Sequence, residues 1–90
     1  MSTDNTYACE FFCPDSETGH PLKYTFSVRT TPPTEVDPLH LLIRVHQLAK
    51  KPATVDELAD KFKTQFPGRH TLACVRWGVK VTAKRDGTGL

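Results

Sequence analysis

From Leu22 to Arg29 apolar and polar residues alternate: Leu22, Tyr24, Phe26 and Val28 point one way, Lys23, Thr25, Ser27 and Arg29 the other. A period of two marks a strand with one buried face. The aromatic-rich run from Tyr7 to Cys13 repeats it, with Tyr7, Cys9, Phe11 and Cys13 on one face. Between the runs, Pro14-Asp15-Ser16-Glu17-Thr18-Gly19-His20-Pro21 has turn chemistry: proline at both ends and a glycine available for positive φ. A hairpin with a long loop follows.

Beyond the prolines at 32 and 33 the period changes. Asp37-Pro38 is a helix start, with Asp as N-cap and Pro at the first helical position. Leu39, Leu42, Ile43, His46 and Ala49 then recur at helical spacing, with Leu41, Val45 and Leu48 beside them. A helix apolar around most of its girth is expected to be buried on more than one side. Lys50 and Lys51 suit its negative end, and Pro52 prevents continuation. Thr54-Val55-Asp56-Glu57 is a capping box that opens a second helix. Its stripe is Val55, Leu58, Ala59, Phe62 and Phe66, and Pro67-Gly68 stops it.

The run from His70 to Arg85 reads as one long strand or two bent at Gly78. Continuous alternation places Ala73, Val75, Trp77, Val79, Val81 and Ala83 on one face and Cys74, Arg76, Lys80, Thr82 and Lys84 on the other. Trp77 is then a core residue. The expected fold class is α+β: an antiparallel sheet, hairpin plus C-terminal strand or strand pair, covered on one face by two α-helices. Residues 1–90 make one domain, with 1–6 and 86–90 expected to be flexible.

Composition narrows the class. A hydrophobic share of 38% is too high for disorder. No apolar run approaches the ~18 residues that span a bilayer. The first residues lack an early Lys or Arg and an apolar core, so no signal peptide is expected. Three cysteines, Cys9, Cys13 and Cys74, are too few for a disulfide scaffold, and a reducing, cytoplasmic setting follows. A net charge of +2 is mild, so where the charge sits matters more than its sum.

Two constellations follow. Period-two geometry gathers Lys23, Arg29, Arg76, Lys80 and Lys84 on the sheet face away from the helices, a basic surface for a larger protein or another anionic partner. Paired aromatics for reading bases are missing there, Phe12 apart, which supports nucleic acid only weakly. The second is Cys13, at the start of the turn, where His20 would stabilise a thiolate nucleophile. No metal is expected: Cys9 and Cys13 lie ~13 Å apart along a strand, and no second Cys or His pair has zinc spacing. Nucleotide-binding and hydrolase motifs are absent.

The order of elements resembles the tunnelling fold (T-fold) of pterin- and purine-handling enzymes. Phe12-Cys13-Pro14 followed by Thr18-Gly19-His20-Pro21 is similar to the Cys-Pro and Thr-Gly-Gln-Pro segment of the nitrile reductases that make a queuosine precursor. His20 stands where that family has glutamine, and Leu22 where it has an acid. The resemblance implies a ring-shaped homo-oligomer with a pterin or deazapurine at subunit interfaces. It also implies Cys13 as the thiol attacking the substrate and NADPH as the cofactor. Two readings therefore stand: a non-catalytic binding or regulatory module using its basic sheet face, and a T-fold-type enzyme or enzyme remnant using Cys13 and His20.

Overall fold

The computed structural model describes residues 3–89. Strands β1 (Asn5–Pro14) and β2 (Pro21–Thr30) form the first hairpin, helices α1 (Pro38–Leu48) and α2 (Val55–Gln65) follow, and strands β3 (Pro67–Arg76) and β4 (Val79–Thr88) form the second hairpin. The four strands lie in the order β1-β2-β3-β4, every neighbouring pair antiparallel. The chain has the expected α+β fold, with the order ββααββ. β1 begins at Asn5 and β4 runs to Thr88, so Asn5, Thr6, Asp86, Gly87 and Thr88 of the two segments expected to be flexible are paired in the sheet. Thr3, Asp4 and Gly89 lie just beyond the strand ends, and residues 1, 2 and 90 lie outside the described residues.

Both helices start where the chain's capping chemistry puts them. The Asp37 carboxylate accepts the Leu39 amide at 3.0 Å, with Pro38 opening α1. Thr54 and Glu57 exchange reciprocal hydrogen bonds of 3.1 Å at the head of α2. Both helices pack on the sheet face carrying Phe11, Cys13, Tyr24, Phe26, Val28, Leu72, Cys74 and Ala83. Phe62 of α2 is the keystone: its ring centroid lies 4.6 Å from that of Phe26 and 5.7 Å from that of Phe11. Phe11 stacks in turn on Tyr24 at 5.3 Å. Phe66 ends α2 in an extended conformation and leads directly into β3.

The last run is two strands, and the turn between them inverts the expected faces. Arg76 pairs with Val79 across a two-residue turn, Trp77-Gly78, both residues in the left-handed region at φ 54° and 78°. Paired residues share a face, so Arg76 and Val79 lie together and the parity of the alternation flips. His70, Leu72, Cys74 and Arg76 of β3 therefore face the helices together with Val79, Val81, Ala83 and Arg85 of β4. Ala73 and Val75 turn to the open face. Trp77 is no core residue: it sits at the hairpin tip, 82% exposed, flanked by exposed Val75 and Val79.

α1 also departs from expectation. Only Leu41 and Val45 are buried within it, while Leu39, Leu42 and Ile43 are exposed at 65%, 43% and 49%. The helix is covered on one side, not several. A helix can carry two apolar stripes while the fold of one copy meets only one of them.

Candidate anion-binding face of the sheet

The strand register sets the open face in rows. One row runs Thr6–Arg29–Arg69–Asp86, the next Ala8–Ser27–Thr71–Lys84, and the third Glu10–Thr25–Ala73–Thr82. In the last row Phe12 pairs with Lys23 on one side of the sheet and Val75 with Lys80 on the other. Neither helix covers this face. Its middle is floored by serine, threonine and alanine, and its cations stand toward the ends.

These small side chains leave a shallow trough. A hollow of about 730 Å³ is lined on this face by Arg29, Arg69, Thr71 and Lys84, and it continues round the β4 edge to Arg85 and to Lys63 of α2. It shares Ser27 and Thr71 with a central hollow of about 160 Å³ over Thr25 and Ala73. That one shares Thr25, Ala73 and Lys80 with a third, of about 460 Å³, which reaches Lys23 and Val75. From Arg69 to Val75 the trough follows the strands for ~20 Å at ~3.3 Å per residue.

The expected cations divide into three groups. Lys23 is paired with Glu10 at 2.9 Å and Arg29 with Asp4 at 2.9 Å, both pairs on the open side. Lys80 and Lys84 are exposed and have no ion pair among the described residues. Arg76 is not on this face at all. It points to the helix side, where its guanidinium lies 3.2 Å from Asp15 and 2.9 Å from Glu17. The Trp77-Gly78 turn is the physical reason, since one change of parity exchanges the two faces. Arg69 takes its place: exposed, on the open face, and also without an ion pair among the described residues.

On the helix side Arg76 has a structural task. Thr18 donates its amide and hydroxyl to Asp15 at 3.3 and 3.0 Å, and Arg76 completes the cluster that closes the β1–β2 loop. Burial pushes the Asp15 carboxyl up, but the hydrogen bonds from Thr18 and the positive charge of Arg76 outweigh it and hold the pKa below the usual value. Arg85 of β4 ties the sheet to α2 instead, bonding Asp60 at 2.9 Å and Asp56 at 3.1 Å.

Cys13 and His20 occupy different environments. The Cys13 side chain is 0% exposed, turned into the core, with its thiol donating to the Lys51 carbonyl at 3.4 Å. Burial pushes its pKa up, against smaller opposing effects of the Ala53 amide and Lys61, and keeps the thiol protonated. His20 is exposed in the loop, its amide donating to the Thr18 hydroxyl at 3.2 Å. No hydrogen bond joins the two among the described residues. Cys9 and Cys74 also sit on the helix-facing side, and burial pushes both thiols up.

Comparison of the chain with protein-family models, with curated proteins and with solved structures found no match. No helix of the described residues is long and apolar enough to cross a membrane.

Proposed function

We propose that this protein is a small non-catalytic binding module that lays an acidic segment of a larger protein along the open face of its sheet. The observation that carries the reading is the trough between strands: a floor of Ser27, Thr25, Thr71 and Ala73, bordered by Arg69, Lys80 and Lys84, which have no ion pair among the described residues. Small floor residues admit an extended backbone, and free cations meet carboxylates without first breaking a pair. Glu10 and Asp86 on the same face give local repulsion, so an occupant must match a pattern of charge. Phe12 alone among aromatics in these rows gives little for stacked bases, which favours polypeptide over nucleic acid.

The nitrile-reductase reading keeps the ββααββ layout in its favour. Its nucleophile has little support: a sealed, protonated Cys13 lacks the access and the thiolate that attack requires. The three free cysteines support a reducing, cytoplasmic setting.

The test is binding of a fluorescent polyglutamate peptide to the wild-type chain and to the Arg69→Glu/Lys84→Glu double variant. Reversal should lower affinity by roughly tenfold at low salt, with the far-UV circular dichroism unchanged. Equal binding by both chains would reduce the face to solvation. Tighter capture of single-stranded DNA than of polyglutamate, with the same sensitivity to reversal, would move the partner class to nucleic acid.

A further inference from the structure

α1 carries a second apolar stripe with no partner among the described residues. Leu39, Leu42 and Ile43 are exposed, and His46 continues their row, its ring 2.8 Å from the Leu42 carbonyl. Leu41 and Val45 serve the core from the other side. The spacing along the outer stripe is three, one, three: Leu39, Leu42, Ile43, His46. Read backwards it is the same. A patch that is its own mirror in sequence spacing suits a two-fold axis, where each surface must complement a copy of itself.

The charges around the stripe choose an orientation. Glu35 and Asp37 stand at the entrance of α1, Lys50 and Lys51 just beyond its end, and all four are exposed. Glu35, Lys50 and Lys51 have no ion pair among the described residues. Between Pro38 and Ala53 the chain has no acidic residue. Two copies of α1 side by side in parallel would set lysines against lysines. Antiparallel, each acidic entrance meets a basic exit. Arg44 stays out of the seam, because its guanidinium donates to Gln65 at 2.8 Å and to Gln47 at 3.1 Å.

We infer that α1 is a self-association surface, on which two copies of this chain pair their α1 helices antiparallel about a two-fold axis between Leu42 and Ile43. About that axis Leu42 faces Ile43 of the second copy and Leu39 faces His46, and the entrance of one α1, with Glu35, lies toward the exit of the other, with Lys50. Three aliphatic side chains per copy fall well short of the ~800 Å² per partner of a standard interface. The dimer is therefore weak, with a dissociation constant on the order of 100 μM. The sheet face plays no part in it, so the inference stands apart from the proposed function.

The test is sedimentation equilibrium of the full chain from ~10 μM to ~1 mM, set against the dissociation constant estimated above. The wild type should pass from monomer to dimer across that range. Leu42→Glu should stay monomeric with unchanged circular dichroism, because Leu42 is exposed in the single copy. Glu35→Lys and Lys50→Glu should each weaken the dimer by roughly fivefold, and the double variant should recover most of that loss. A wild type monomeric throughout would overturn the inference. So would association that survives Leu42→Glu, or a double variant as weak as the singles.

Discussion

The two helices have the same length and opposite relations to the fold. α1 holds six large aliphatic residues among its 11, α2 only three large apolar ones among its 11. Yet the more polar helix is the better buried. Leu58, Ala59 and Phe62 of α2 are enclosed, and Phe66 at its end continues the same stripe into the aromatic core. α1 encloses Leu41 and Val45 and leaves three aliphatic side chains in water. For α2, capping, patterning and burial agree, and the single chain satisfies all three. For α1, capping agrees but apolarity exceeds burial, and that excess is what folding of one copy does not explain.

The contrast is broken or sharpened by substitution, beginning with the largest effect. Phe62→Ala should cost about 3–5 kcal/mol in urea unfolding, since it empties the centre of the aromatic cluster. Ile43→Ala, measured at low concentration, should change stability by less than about 0.5 kcal/mol. Equal costs would mean that α1 is as enclosed as α2. Within α1 itself, Val45→Ala should cost about 2 kcal/mol, separating the inner stripe from the outer one two residues away. Thr54→Ala removes one half of the reciprocal cap of α2 and should cost about 1 kcal/mol.

The last test is pH, because the floor beneath the end of α2 contains a buried histidine. His70 lies edge-on to Phe26 with centroids 5.3 Å apart, and its Nδ1 has no hydrogen-bond partner among the described residues. Burial lowers its pKa, against smaller opposing effects of the Pro67 and Phe66 backbone and Asp86. Between the folded and unfolded pKa values the unfolded chain binds more protons, so stability rises with pH. His70's contribution is complete above the unfolded value, ~6.5, and declines as pH falls below it. The urea midpoint should drop between pH 7.5 and 5, and His70→Gln should flatten that part of the profile. An unchanged slope would assign the drop to other groups.

Much of this architecture is written locally. The hairpin was legible because Leu22–Arg29 alternates without interruption, and both helix starts because Asp37-Pro38 and Thr54-Val55-Asp56-Glu57 satisfy backbone amides within one turn. The faces of β3 and β4 were not. Their assignment hangs on whether two residues at Trp77-Gly78 form a bend or a turn, and a tryptophan in the left-handed region is not the asparagine or glycine that announces such a turn. That one ambiguity put Arg76 on the open face and Trp77 in the core. Arg69 escaped notice for another reason: Pro67-Gly68 reads as a helix stop, but Pro67 also serves as the first residue of β3, a position proline tolerates. A glycine signature at the second turn position was the available clue. The outer side of α1 was visibly apolar, but which stripe a helix buries depends on tertiary packing that periodicity does not encode.

The hairpin tip has a consequence for spectroscopy. Trp77 is the chain's only tryptophan and is almost wholly in water in the native state. Its emission should therefore resemble that of free indole and shift little on unfolding, which makes intrinsic fluorescence a nearly silent witness to denaturation. The same placement makes it sensitive to anything that covers the tip. A blue shift in a titration would report contact at Trp77, uncontaminated by tryptophan signal from the core, whose fluorophores are Tyr24 and the half-buried Tyr7.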